Sequence, residues 1–296
     1  MVEIKLLVDC NQSLGEGPLW DVDEQRLYWV DTVNGEIWRC AVDGSEVQTW
    51  KVPGEIGCLA LREQGGGLLA LDSGLHFFDF ASGELLDCLA HPEEGKEGVR
   101  FNDGKVDRNG RFIVASLDLM ASTPGAPWRG RLFRFDTDLS LHEIDTGYWI
   151  SNGPCWSPDD RTFYHTDSRA DAIFAFDWDA QSGLPSNKRI FVNVEKGSLP
   201  DGATVDEEGY LWSAANGAEN GKGELRRYAP DGTLDRVVTM PTPKITSVMF
   251  GGPDLDVAFV TTMNFDTGIP KTPMDGRLLA VTGLGVRGLP EPRFGG

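Results

Sequence analysis

Glu16-Gly-Pro-Leu-Trp-Asp, Asn152-Gly-Pro-Cys-Trp-Ser and Asp201-Gly-Ala-Thr-Val-Asp are three copies of one segment in a chain of 296 residues. In each copy an oxygen-bearing side chain precedes a glycine, and an apolar residue follows four positions after the first residue. A polar turn and a short apolar run come next. Self-similarity of this kind is typical of repeat folds, in which equivalent residues occupy equivalent places in space.

Aligning the apolar residue extends the series to six copies, and we call the first residue of each copy its opener. Behind each opener, a polar turn leads into a short aromatic or β-branched run, which is the pattern of a β-hairpin. The spacing between openers is about 40 to 50 residues. The six openers are Glu16, Gly57, Asn102, Asn152, Asp201 and Thr246.

A second pair of strands follows each hairpin. Its first members are the runs 35–40, 74–80, 130–136, 172–177, 223–228 and 276–281. Four strands in each of six copies predict an all-β fold, a six-bladed β-propeller with four antiparallel strands per blade. We expect one domain over residues 1–296. Two β-sandwiches, the alternative architecture, would not produce six copies in one register.

The two ends of the chain have different predicted roles. The apolar run 2–8 precedes the first opener and has no partner in its own copy. We expect it to pair with residues 276–282 in the last blade, because this pairing closes the ring and removes a sheet edge. Residues 287–296 carry no strand pattern, so we expect an irregular tail.

Composition disfavours several classes of partner. The formal net charge of −19 disfavours nucleic acids and anionic membranes, and no apolar run approaches the length of a membrane span. The first residues lack the basic and apolar regions of a signal peptide. No C-x-x-C pair occurs, which predicts free thiols in a reducing compartment and therefore a cytoplasmic protein. The five cysteines are Cys10, Cys40, Cys58, Cys88 and Cys155.

The openers predict a metal site. The innermost strands of a propeller line a central channel, so all six openers should ring one mouth of it. Glu16, Asn152 and Asp201 would supply carboxylate and amide oxygens, which suit hard cations such as Ca²⁺, Mg²⁺ or Mn²⁺. Asn-Gly and Asp-Gly are also common turn dipeptides, but the shared register favours the metal site.

Three further residues are candidates for the same mouth. Arg100 and Asn102 should project near it, where an arginine could hold a hydroxyl or a carboxylate; the alternative is a surface arginine. His165 follows an opener segment and is either a substrate contact or a packed strand histidine. The sequence contains no G-x-S-x-G, P-loop, G-x-G-x-x-G or H-E-x-x-H motif.

Four motifs resemble those of the gluconolactonase/regucalcin (senescence marker protein) family, and especially its bacterial sugar-acid lactonases. The similarity extends from about residue 14 to residue 283. The motifs are Leu14-Gly-Glu16-Gly-Pro18, Arg100-Phe-Asn102-Asp-Gly104-Lys, Ser151-Asn152-Gly-Pro154-Cys-Trp-Ser-Pro158-Asp and Pro200-Asp201-Gly202.

The resemblance implies a site and a reaction. Glu16, Asn152 and Asp201 would hold one divalent metal ion, which could be Ca²⁺, Zn²⁺, Mn²⁺, Mg²⁺ or Fe²⁺. Arg100 and Asn102 would bind the substrate, and Asp201 would also act as general base. The implied activity is metal-dependent hydrolysis of a sugar lactone to the sugar acid. Xylono-, arabinono-, galactono- and gluconolactone all remain open as substrates.

Asp118 lies in the region where the family has an acidic residue that contacts the distal sugar hydroxyls. The match is not clear, because Met120 lies in the same region.

Two other functions also remain open. A non-catalytic metal-binding or interaction propeller predicts a channel mouth blocked by large side chains. A paraoxonase-like esterase, or a strictosidine-synthase-like protein, predicts a secreted chain with a signal peptide and a disulfide.

Overall fold

The computed structural model describes residues 1–121, 127–217 and 221–296. Its strands are β1 (Glu3–Val8), β2 (Gly15–Asp21), β3 (Arg26–Asp31), β4 (Glu36–Cys40), β5 (Gln48–Lys51), β6 (Ile56–Leu61), β7 (Gly67–Leu71), β8 (Gly74–Asp79), β9 (Glu84–Ala90), β10 (Val99–Val106), β11 (Phe112–Asp118), β12 (Gly130–Phe135), β13 (Leu141–Tyr148), β14 (Ser151–Trp156), β15 (Thr162–Asp167), β16 (Ala172–Asp179), β17 (Leu184–Asn193), β18 (Leu199–Val205), β19 (Leu211–Asn216), β20 (Glu224–Tyr228), β21 (Leu234–Thr239), β22 (Ile245–Gly251), β23 (Val257–Thr262) and β24 (Leu278–Thr282).

These strands form six antiparallel four-stranded sheets, which confirms the predicted propeller. Blades 1 to 5 each take four consecutive strands, beginning with β2, β6, β10, β14 and β18. Each innermost strand contacts the innermost strand of the next blade, and β22 of blade 6 contacts β2 of blade 1, so the ring is closed. The described residues include no helix long and apolar enough to cross a membrane.

The chain closes its own ring in blade 6, where the sheet order is β1-β24-β23-β22. Strand β1 is therefore the outermost strand of the last blade. It runs antiparallel to β24, with Glu3 opposite Thr282 and Ile4 opposite Val281. This is the predicted pairing of the two ends, and it covers an edge that would otherwise be exposed.

The core lies between the blades. Within the described residues, six buried apolar clusters occupy the six interfaces between neighbouring blades. Successive side chains of a strand point to opposite faces of its sheet, so a strand covered on both faces must be apolar at nearly every position. In β7, Leu68 and Ala70 pack toward blade 3, whereas Leu69 and Leu71 pack toward blade 1.

All five cysteines are free thiols, as the sequence predicted. Cys40, Cys58 and Cys155 are buried, and Cys88 is exposed. Burial raises the pKa of the Cys40 and Cys155 thiols to about 12. These thiols are therefore protonated at neutral pH and act as small apolar side chains.

Residues 287–296 form an irregular strap across the far face of the ring, opposite the openers. We call this segment the C-terminal strap. Gly288 N donates to Leu255 O of blade 6 (2.8 Å), and Phe294 N donates to Leu61 O of blade 2 (2.8 Å). The Phe294 side chain has 0% exposure and stacks on Phe135, with 5.5 Å between ring centroids. The strap thus ties blade 6 to blades 2 and 3.

We expect Phe294→Ala to lower the free energy of unfolding by about 3 to 5 kcal/mol, because it opens a cavity in the core between blades 2 and 3. Phe265→Ala is the matched control, since Phe265 is exposed and surface changes usually stay within about 0.5 kcal/mol. Urea unfolding followed by tryptophan fluorescence measures both. Equal effects of the two substitutions would show that the strap does not stabilise the ring.

Candidate metal and substrate site

Every innermost strand contains a β-bulge at its opener or directly after it. In β10 and β18 the bulge holds the opener and the residue after it, and in β2 and β14 it holds the two residues after the opener. In β6 and β22 it holds the opener alone. A bulge inserts an extra residue, bends the strand and re-aims a side chain. The same irregularity at the same level of six blades places the openers in one ring.

Glycines beside the openers are required by this geometry. Gly153, directly after Asn152, has a φ of 54°, in the left-handed region that favours glycine. Gly57, the opener without a side chain, has a different reason. A methyl group at Gly57 would overlap the backbone oxygen of Asn102 in the next blade. Blade 3 therefore occupies the place that a blade 2 side chain would take.

Three carboxylates lie within electrostatic reach of one another: Glu16, Asp103 and Asp201. They are surrounded by protein while retaining some contact with the channel. Burial raises the pKa of Glu16 well above its usual value, and the charges of Asp201 and Asp103 raise it further. Burial and then the charge of Asp103 raise the pKa of Asp201 in the same way. The three carboxylates repel one another when ionised, and together they attract a cation.

The amide openers of blades 3 and 4 are joined directly. Asn102 Nδ2 donates to Asn152 Oδ1 and to Ser151 O, each at 2.8 Å. Asn152 is buried, and its own Nδ2 donates to Ser168 Oγ at 2.9 Å. The opener of blade 5 is adjacent, because a methyl group at Gly153 would lie 3.0 Å from Asp201 O. The structure thus brings Asn102, Asn152 and Asp201 together.

Arg100 lies at the same mouth. Its Nε is 2.6 Å from Glu55 Oε2, and its Nη1 donates to Phe101 O (2.8 Å) and to Asn102 Oδ1 (3.2 Å). Burial lowers the pKa of Arg100, although the charges of Glu55 and Glu16 act in the opposite direction. The guanidinium is a cation within electrostatic reach of the carboxylate ring.

Asp118 ends β11 and anchors the loop that follows. Its carboxylate accepts from Arg129 Nε (2.8 Å), Arg129 Nη2 (2.7 Å) and Met120 N (2.9 Å). Hydrogen bonds to Arg129 lower the pKa of Asp118, so it is ionised. Both of its oxygens are already bound within the protein, and this placement gives no support to a contact with sugar hydroxyls.

His165 is fully buried between blades 3 and 4. Its ring meets Tyr148 edge to face at 4.6 Å and stacks with Phe163 at 6.0 Å. Burial lowers the pKa of His165 to about 3, so the ring is neutral. This is the packed-strand position, among aromatic rings of the blade interface, and it does not support a substrate contact.

The sequence interpretation missed residues that hold the openers in place. Asp103 Oδ2 accepts from Gly153 N at 2.8 Å, which ties the bulge of blade 3 to that of blade 4. Asp31 and Asp167 accept backbone N–H groups just before the openers Glu16 and Asn152. A signal existed for this pair, because each aspartate follows its opener by the same number of residues.

The donor set fits a hard divalent cation. Within the described ranges, no three His, Cys, Asp or Glu side chains form a metal cluster by themselves. The set of Glu16, Asn152 and Asp201 instead combines two carboxylates with one amide oxygen, and oxygen donors suit Ca²⁺, Mg²⁺ and Mn²⁺. A cation there would compensate the repulsion that raises the pKa of both carboxylates.

Comparison with known proteins identifies the family. Residues 14–264 match the SMP-30/Gluconolactonase/LRE-like region. The chain therefore belongs to this family, as its motifs indicated. A 6-deoxy-6-sulfogluconolactonase of Pseudomonas putida is 35% identical in an alignment of 298 positions that covers 99% of each chain. The pentonolactonase XacC of Haloferax volcanii is 34% identical in an alignment of 270 positions that covers 88% of this chain and 85% of its own.

A solved structure shares the same fold. The calcium-binding protein regucalcin from Agrobacterium tumefaciens superposes with a TM-score of 0.87 at 26% identity. The match covers 98% of this chain and 96% of that one. The propeller fold is thus shared with that protein.

We expect Glu16→Gln to stabilise the metal-free protein at about pH 8, and this advantage to shrink toward about pH 5. The pKa of Glu16 is raised in the folded state, so at intermediate pH the folded chain keeps a proton that the unfolded chain has lost. The native Glu16 therefore destabilises the fold at high pH, and this loss of stability shrinks as the pH falls from the folded pKa toward the ordinary pKa of the unfolded chain.

Urea unfolding of chelator-treated protein at the two pH values measures this difference. The comparison between variant and wild type cancels the contributions of the carboxylates that do not interact with Glu16. An unchanged difference between pH 8 and pH 5 would contradict the raised pKa of Glu16.

Proposed function

We propose that this member of the family hydrolyses a sugar lactone to the open-chain sugar acid, with one divalent cation held by Glu16, Asn152 and Asp201. The observation that carries the proposal is the convergence of these three openers, from three separate blades, around one channel mouth. The lactonase names of the two relatives support the substrate class.

Glu16, Asn152 and Asp201 would hold the cation through oxygen atoms. When bound, a divalent cation supplies Lewis-acid polarisation of the lactone carbonyl. Asp201 is also the proposed general base. A carboxylate has two oxygens, so one oxygen of Asp201 can hold the cation while the other accepts the proton.

The proton balance closes on Asp201. Asp201 takes one proton from the attacking water while the water oxygen bonds to the carbonyl carbon. The ring C–O bond then breaks, and the departing ring oxygen receives that proton from Asp201. The product is the open-chain acid, and Asp201 returns to its starting form.

Arg100 is the proposed contact for substrate hydroxyls or for the developing oxyanion. A guanidinium has five N–H donors, and the contacts with Phe101 and Asn102 both use Nη1. Asn102 fits that role less well. Both of its amide hydrogens are bound by Ser151 O and Asn152 Oδ1.

The alternative functions receive less support. A non-catalytic propeller predicts a mouth blocked by large side chains, whereas the openers are small or polar. A secreted esterase with a disulfide conflicts with five free cysteines. Free thiols support the proposed reducing, cytoplasmic location.

Asp201→Asn tests the general base. We expect kcat to fall by about 10²- to 10⁴-fold, because an amide cannot accept the proton. The amide oxygen can still bind a cation, so calorimetry should show that metal binding persists. Asp138→Asn, in an exposed turn, is the matched control and should retain full activity. Turnover of Asp201→Asn at the wild-type rate would show that another group is the base.

Metal removal tests the cation. We expect chelator treatment to abolish hydrolysis, with recovery on adding back one of Ca²⁺, Mg²⁺, Mn²⁺, Zn²⁺ or Fe²⁺. A pH-indicator assay over xylono-, arabinono-, galactono- and gluconolactone measures both the metal and the substrate preference. Full activity in the chelated protein would exclude the cation-dependent mechanism. Metal binding without turnover of any lactone would favour a binding protein.

A further inference from the structure

We infer that Arg100 and Ser168 are positioning residues that orient the amide of Asn152. Arg100 acts through Asn102, and Ser168 acts directly on the amide nitrogen. Together they would present the Asn152 oxygen to the divalent cation. The inference rests on the proposed function, because it takes Asn152 as a ligand of that cation.

Four side chains form one directed chain of hydrogen bonds across blades 3 and 4. Arg100 Nη1 donates to Asn102 Oδ1 at 3.2 Å. Asn102 Nδ2 donates to Asn152 Oδ1 at 2.8 Å. Asn152 Nδ2 donates to Ser168 Oγ at 2.9 Å. Each amide in the chain accepts on one side and donates on the other.

The direction of the chain is fixed at its first member. A guanidinium can only donate, so the atom of Asn102 that faces Arg100 must be the oxygen. The amide nitrogen of Asn102 is then turned toward Asn152, so the Asn152 oxygen must accept its hydrogen bond. Rotating the Asn152 amide by half a turn would bring two donors together and leave both unmatched in a buried site, which is unfavourable.

Burial makes this orientation matter. Asn152 is 4% exposed and Ser168 is 5% exposed, so water has little access to replace a lost partner. A carbonyl oxygen has two lone pairs. Asn102 occupies one of them, which leaves the other for a cation, while Ser168 keeps the amide nitrogen turned away.

Both ends of the chain are held by further contacts. At the rim, Glu55 lies 2.6 Å from Arg100 Nε and fixes the guanidinium. At the backbone, Asp103 accepts from Gly153 N at 2.8 Å and holds the bulge that directly follows Asn152. The orientation of one amide thus depends on residues from blades 2, 3 and 4.

Calorimetric titration of the metal-free protein with Mn²⁺ and, separately, with Ca²⁺ tests the inference. We expect Arg100→Met and Ser168→Ala each to weaken cation binding by about 10- to 100-fold, the usual range for residues that orient a ligand. Arg100→Lys, which keeps a donor and the charge, should recover part of the affinity. If Arg100 only touched substrate, its loss would raise KM and leave the cation affinity unchanged.

Two controls separate orientation from a general structural effect. Ser157→Ala removes a serine from the far turn of the same blade and should leave cation affinity unchanged. In an Asn152→Asp background, either carboxylate oxygen can bind the cation, so Ser168→Ala should have a much smaller effect than in the wild type. Thermal unfolding of each metal-free variant checks that the propeller is intact.

The outcomes distinguish this inference from the proposed function. If the wild type binds cation and the Arg100 and Ser168 variants bind it equally well, the orienting role is wrong and the lactonase proposal stands. An equal loss from Ser168→Ala in the wild type and in the Asn152→Asp background also overturns it. If the wild type binds neither cation, both the cation site and the orienting role fail.

Discussion

Pairing of β1 with β24 joins the two ends of the chain, and the position of every opener depends on the ring that this pairing closes. Glu16 and Asp201 are far apart in sequence and meet only because blades 1 and 5 belong to one closed circle. Their burial is unfavourable without a cation, since burial and the charges of neighbouring carboxylates raise the pKa of both. The apolar clusters between the blades supply the stabilisation that offsets this cost. The site is therefore locally unfavourable, and the packing of the whole ring stabilises it.

The sequence predicted the architecture well because the propeller repeats a local signal. Each blade carries its own hairpin pattern, and the third strands begin and end within about two residues of the predicted runs. The openers could be placed at one mouth for the same reason. Side-chain direction was harder to predict. His165 lies on the second strand of its blade, and strand alternation places its side chain in a blade interface. Asp118 lies at the end of a second strand, where Arg129 binds its carboxylate.

Contacts between blades could not be read from any repeat. Asp103, Ser168 and Glu55 acquire their roles from neighbours in other blades or loops, and no spacing rule links them. The bulges add to this difficulty, because an extra residue in each inner strand changes which side chains face the channel. The sequence thus indicated which oxygen-bearing openers belong to one site. The hydrogen bonds that orient their side chains became visible only in the structure.

In the part of the chain that the structure describes, the C-terminal strap lies across the far end of the channel. Leu289, Pro290, Glu291 and Pro292 line its far side, where Lys105 Nζ lies 3.5 Å from Glu291 Oε1. With the strap there, a lactone that enters past the openers would leave, as the acid, through the same mouth. Accumulated product would then compete with fresh lactone for the same mouth. The rate of hydrolysis would therefore depend on how fast a later reaction removes the acid.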